Sequence, residues 1–148
     1  VYGPWGRPDM AYFKFTKNII EQKPINVYGN GDMYRDFTYI DDVVHIVSEL
    51  VNTTPINNSN NIYKSVPAEI YNIGNNKAEH LEKFIEIIEN STKLKAIKKY
   101  LPIQMGDIIE TCANINKIQK KLNFTPKVNI TTGIPLFVDW FKSYYKEV

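Results

Sequence analysis

One cysteine, Cys112, stands in the sequence, which excludes an internal disulfide and a multi-cysteine metal site. A reduced, cytoplasmic setting is the expectation. Histidine is nearly as scarce: His45 and His80 sit alone on segments of helical spacing, without the companions a hydrolytic or metal centre needs. Of the 18 basic residues, Arg7 and Arg35 alone carry a guanidinium. The net charge of +2 is too small for the concentrated basic face that nucleic acid demands, and the lysines at 93, 95, 98 and 99 read as a solvated surface. Long apolar runs are missing too. Asp, Asn or Lys interrupts each of them well before the roughly 20 residues of a bilayer span, so no membrane helix is expected. There is no Gly-x-Ser-x-Gly and no Gly-x-x-x-x-Gly-Lys run. Gly3 and Gly6 do not make a dinucleotide fingerprint either, because no strand precedes them and no third glycine follows.

What remains is an ordinary globular composition, 43% hydrophobic and 23% charged over 148 residues, which suits one folded domain. The first residues hold no Met and no basic leader, and they read as the middle of a longer chain. Gly3, Pro4, Gly6 and Pro8 punctuate an opening loop. Met10, Phe13, Ile19 and Ile20 then recur at helical spacing, with Asp9 placed to cap and Pro24 to stop the pattern. Ile25–Tyr28 predicts a short strand closed by Gly29-Asn30-Gly31-Asp32, and Arg35–Ile40 a second one. Asp41 and Asp42 open a helix whose Val43, Val44, Ile46, Val47, Leu50 and Val51 should face a core. Asn52–Pro67 is loop-like. Glu69–Ile73 predicts a strand, Leu81, Phe84, Ile85 and Ile88 a helix, and Ala96–Leu101 a further strand. After a loop around Gly106 come a short helix over Asn114–Leu122, capped by Asn114, and a last one over Thr131–Tyr145 that buries Ile134, Phe137, Val138 and Phe141. The class is α/β without internal repeats.

Both arginines sit in motifs rich in glycine or aromatic residues. In Val1-Tyr2-Gly3-Pro4-Trp5-Gly6-Arg7-Pro8-Asp9-Met10 a tight loop projects Arg7 toward a cleft, and Arg35 follows the Gly29–Asp32 turn at the mouth of a strand. A planar guanidinium binds a diphosphate with two parallel hydrogen bonds. The alternative for Arg35 is a structural ion pair with Asp36 or Asp42.

These two segments, with Arg35-Asp36-Phe37-Thr38-Tyr39-Ile40-Asp41-Asp42, Tyr71-Asn72-Ile73-Gly74-Asn75 and Gly106-Asp107 at matching distances, resemble the extended short-chain dehydrogenase/reductases. Within them the chain is most similar to bacterial UDP-glucuronate 4-epimerases of capsular polysaccharide biosynthesis. The resemblance runs from Val1 to the last helix. It implies a substrate-binding lobe, residues 1–148, with the last strands and helices of an NAD-binding Rossmann-type sheet, the N-terminal part being absent. It implies that Arg35 holds a UDP diphosphate, Asn26 and Tyr28 contact uracil, and Asp107 binds the ribose. Gln104 stands where many relatives have a phosphate-binding arginine. Arg7 matches an arginine near the sugar, where it would sense the glucuronate carboxylate, and Tyr2 and Trp5 line the same pocket or serve in packing.

In that family NAD takes and returns a hydride at the sugar C4, while a Tyr-x-x-x-Lys pair handles the proton. None of the ten tyrosines here has a lysine four residues on. The resemblance therefore implies a UDP-sugar as ligand, NAD in the intact family but none bound by this chain alone, and no catalysis by the chain alone. Self-association is expected through apolar surface that a missing partner lobe would cover. Two alternatives stay open: a non-catalytic remnant that binds UDP-sugars weakly, and a sister sugar-nucleotide dehydratase or decarboxylase.

Overall fold

A computed structural model describes residues 1–55 and 67–146. Helix α1 (Ala11–Ile20) leads through Pro24 into β1 (Pro24–Val27), and β2 (Tyr34–Asp36) leads into α2 (Ile40–Val51). Then follow β3 (Ala78–His80), α3 (Leu81–Thr92), β4 (Ile97–Tyr100), α4 (Asn116–Leu122) and α5 (Ile130–Tyr145). The architecture is α/β. β1 pairs with β4 in parallel, Pro24 opposite Ile97, and β2 pairs with β3 antiparallel, Arg35 opposite Glu79. The main core lies where α1, α3 and α5 meet β1, with Phe13, Ile25, Val27, Phe84, Ile88 and Phe137 all buried. A smaller cluster joins Ile46 of α2 to Ile115, Ile118 and Phe124.

Helical periodicity locates α1, α3 and α5: α5 buries Ile134, Phe137, Val138 and Phe141, α3 buries Phe84, Ile85 and Ile88 with Leu81 half-buried, and α1 buries Phe13 and Ile19 but leaves Met10 and Ile20 half-buried. Both expected caps differ in the structure. Asp9 does not cap α1: the helix begins at Ala11 behind Met10, and the Asp9 carboxylate sits 3.3 Å from the Arg7 guanidinium. Nor is Asn114 the N-cap of α4: that position is Ile115, and Asn114 stands one residue further out, its side-chain oxygen accepting from the N–H of Asn116 at 3.1 Å.

Two strand assignments are corrected, for one reason: a strand exists where a ladder partner exists. Glu69–Ile73 has no ladder partner among the described residues and is irregular; the strand of this region is β3, which finds β2. Arg35–Ile40 is not one strand. Tyr34–Asp36 joins β3, whereas Tyr39 turns to make a single parallel bridge with Tyr2, the Tyr2 N–H donating to Thr38 O at 2.9 Å and Ile40 N–H to Tyr2 O at 2.9 Å. Most of the loop expected over Asn52–Pro67 lies outside the described residues.

The α2 face is the third correction. Of its expected core residues Ile46 is buried, but Val44, Val47 and Val51 are 56, 51 and 80% exposed. Their i, i+3, i+7 spacing is a true apolar stripe, and nothing among the described residues covers it.

Candidate functional site

β2 ends a turn that only unusual backbone geometry allows. Gly29, Asn30 and Gly31 all take positive φ, at 61°, 53° and 86°, where glycine and asparagine are tolerated best. The chain emerges from it into Tyr34-Arg35-Asp36. Across the ladder Arg35 faces Glu79, yet that buried carboxylate is already held by Lys77 and Lys83, each at 2.8 Å. Burial opposes the ionisation of Glu79, but the two ammonium groups prevail and hold its pKa below the usual carboxylate value.

The Arg35 guanidinium turns instead to the segment after β4. Its Nη1 donates to the carbonyls of Tyr34 at 2.8 Å and Ile109 at 3.0 Å, and Nη2 lies 3.6 Å from an Asp107 carboxylate oxygen. The ion pairs with Asp36 or Asp42 that stood as the alternative for Arg35 do not form, because both carboxylates are spent on backbone. Asp36 accepts from the N–H groups of Asn75, Asn76 and Ala113, and Asp42 from those of Lys127 and Val128. Arg35 has five N–H donors, and its Nε edge makes no hydrogen bond among the described residues. A half-exposed fork, oriented by two carbonyls and with one edge open, suits an oxyanion.

Asp107 belongs to a turn in which its N–H donates to Gln104 O at 3.0 Å, with Gly106 at φ 86°. Hydrogen bonds carry this segment along the whole region: Leu101 N–H to Val27 O, Asn30 N–H to Leu101 O, Tyr34 N–H to Ile109 O and Thr111 N–H to Tyr34 O. One stretch of chain thus runs from beside Tyr28 to beside Arg35. Asn26 is exposed on β1 opposite Lys99, Tyr28 opens the turn half-buried, and Gln104 and Asp107 are exposed. The structure therefore gathers Tyr28, Arg35, Gln104 and Asp107 along this connected path, with Asn26 two residues from Tyr28.

Arg7 stands apart. Its side chain is 75% exposed, paired with Asp9 and 3.4 Å from the Met10 sulfur, in a surface concavity of about 500 Å³ that Tyr2, Trp5, Tyr12 and Ile40 also line. No residue of the Arg35 group lines that concavity. Tyr2 is chiefly packing: it is buried, its hydroxyl donates to Asn129 O at 3.2 Å, and burial pushes its pKa well above the ordinary phenol range. Trp5 is exposed and meets the edges of Trp140 and Tyr144. Three participants escaped the sequence reading. The carbonyls of Tyr34 and Ile109 leave no mark in a sequence, and Asp36, although within a recognised motif, looked like a partner for Arg35.

Comparison with known proteins now adds to the geometry. The sequence pattern of the GDP-mannose 4,6 dehydratase family matches residues 8–136. The chain belongs to that family, within the extended short-chain dehydrogenase/reductases. Among curated members, Staphylococcus aureus protein CapI is 44% identical over 99% of this chain and 46% of its own length. Arabidopsis thaliana UDP-glucuronate 4-epimerase 5 is 42% identical over 98% of the chain and 35% of its own length. A crystal structure of UDP-glucuronic acid 4-epimerase from Bacillus cereus, in complex with UDP-glucuronic acid and NAD, superposes with a TM-score of 0.83 at 31% identity, over 97% of this chain and 43% of that one. The chain thus spans less than half the length of these family members. No helix among its described residues is long and apolar enough to cross a membrane.

Proposed function

We propose that this chain is the nucleotide-sugar-binding domain of an NAD-dependent UDP-sugar 4-epimerase that interconverts UDP-glucuronate and UDP-galacturonate for surface polysaccharide precursors. The observation that carries the reading is the juxtaposition of Arg35, with one edge of its fork open, and Asp107, 3.6 Å away, on a segment that also passes Tyr28. In this reading Arg35 holds the diphosphate, Asp107 the ribose hydroxyls, Asn26 and Tyr28 the uracil, and Gln104 contacts phosphate as a neutral donor. Arg7 reads the sugar carboxylate from the neighbouring concavity. The names of matched proteins, UDP-glucuronate 4-epimerase 5 of Arabidopsis thaliana and UDP-glucuronic acid 4-epimerase of Bacillus cereus, support a uronate over a neutral sugar.

NAD would supply the hydride chemistry, but the residues present do not fit it. A pyrophosphate needs a glycine-rich strand-to-helix turn with free N–H groups. At the junction before α2 stand Asp41 and Asp42, and at the β3–α3 junction the His80 ring already accepts from the N–H of Glu82, itself an acid in the first turn. Both repel an anion. We therefore assign NAD and the proton-transferring pair to other parts of an intact enzyme, and expect calorimetry to detect no NAD binding by this chain. The uncovered α2 stripe should drive self-association. The reading is tested by titrating UDP, UDP-glucose and UDP-glucuronate into the chain. It requires UDP-glucuronate to bind more tightly than UDP-glucose, and an Arg7→Ala variant to lose that difference while keeping its affinity for UDP. Equal affinities for the two sugars in the parent would refute the uronate assignment.

A further inference from the structure

Asp36 follows Arg35 directly, so the pleat of β2 sends their side chains to opposite faces. On its own face the Asp36 carboxylate closes a clamp on three N–H groups from two separate stretches of backbone. One oxygen accepts from the N–H of Asn75 at 2.8 Å, and the other accepts from Asn76 at 3.1 Å and Ala113 at 2.9 Å. The Asp36 N–H adds a longer contact of 3.4 Å to the Thr111 hydroxyl. Gly74 is what lets the two stretches meet at the carboxylate: a Cβ there would stand 2.4 Å from that of Ala113 and 2.9 Å from the Asp36 carboxylate.

The clamp fixes one end of the very segment whose other end meets Arg35. Between Asp107 and Ala113 the chain lies beside β2 through Tyr34 N–H to Ile109 O, Thr111 N–H to Tyr34 O and the Tyr34–Glu110 bridge. Arg35 is oriented by the carbonyl of Ile109 and faces Asp107. Residues 101–111 hold no helix or strand, and 102–110 are all exposed, so few packing contacts set their position along β2. Backbone hydrogen bonds and the Asp36 carboxylate must do so. We infer that Asp36 is a positioning residue for the anion-binding site: through its hold on Ala113 it sets where Ile109 and Asp107 meet the Arg35 guanidinium, without itself touching a ligand. This rests on the reading of Arg35 as the diphosphate contact.

Asp36→Asn keeps the shape but trades one acceptor oxygen for a donor amide, so it faces an N–H with an N–H. Gly74→Ala attacks the same clamp from the other side and leaves the carboxylate in place. Amide hydrogen exchange on the parent chain and both variants reads the clamp directly. Exchange at Tyr34 and Thr111, which bond across the clamped segment, should quicken at least about tenfold in either variant, while amides in α3 and α5 keep their parent rates. Unchanged exchange at Tyr34 and Thr111 in both variants would overturn the inference. A ligand readout separates positioning from loss of fold: Asp36→Asn should weaken UDP about tenfold in the parent but less than about threefold on an Arg35→Ala background, because the effect passes through the guanidinium. An equal loss on both backgrounds would contradict that route. If the parent binds no UDP at all, the reading of Arg35 fails, and the exchange rates at Tyr34 and Thr111 still decide whether Asp36 sets the segment.

Discussion

Single side chains in this protein are committed by what surrounds them more than by what they are. Arg35 and Arg7 carry the same group, yet one is oriented by two carbonyls and an aspartate, and the other is largely in solvent beside Asp9. Replacing Arg35 by Lys should therefore recover little of what Arg35→Ala loses, since a point charge cannot reproduce a planar fork. Affinities for UDP of the two variants, measured side by side, check this; a lysine variant within about twofold of the parent would reject the bidentate contact. Tyr2 gives a pH prediction. Its folded-state pKa is raised by burial, so its contribution is fully present below the unfolded phenol value near 10 and is lost as the pH rises toward the folded value. The melting temperature should fall above about pH 10, and Tyr2→Phe should flatten that fall. For Glu79 the sign is opposite: its lowered pKa stabilises the fold above its ordinary value near 4.5, and this is lost as the pH drops through the depressed one. The contact between Arg35 and Asp107 joins residues far apart in sequence, so no local spacing announces it; resemblance to a family named both residues, and geometry brought them together.

At the scale of elements, what was legible follows from whether a partner is needed. A helix satisfies its own backbone, so periodicity alone marks α1, α3 and α5. A strand depends on a neighbour, so β-prone residues at Glu69–Ile73 make none where no ladder is available, and Arg35–Ile40 divides between β3 and Tyr2. The same limit applies to α2, whose stripe tells that a face is apolar but not what covers it. Helix α3 packs against both α1 and α5, and its Phe84 is fully buried and stacks on Phe37 with centroids 4.1 Å apart. Phe84→Ala should cost about 3–5 kcal/mol of stability in urea unfolding. A cost under about 1 kcal/mol would mean that α3 is not the keel of the core. The exposed stripe behaves oppositely. Val44→Lys with Val47→Lys should leave the unfolding free energy within about 0.5 kcal/mol of the parent. It should also lower the apparent mass in sedimentation if the parent associates through this face.

Taken whole, the molecule is an α/β unit with a well-filled main core, a smaller second cluster and an apolar helix face left open, spanning less than half the length of the family members it matches. The strand-to-helix junctions ahead of α2 and α3 carry acids, and the chemistry we propose for the chain is recognition of a diphosphate by the Arg35 group. Recognition is a claim that binding can judge. Calorimetric titration of UDP and of uridine into the parent chain and its Arg35→Ala variant isolates the diphosphate from the rest of the nucleotide. A charge-assisted bidentate contact contributes roughly 1.5–3 kcal/mol, so the account predicts that the parent prefers UDP over uridine by about ten- to a hundredfold and that Arg35→Ala abolishes the preference. A parent that binds both alike, or a variant that keeps the full preference, would contradict it.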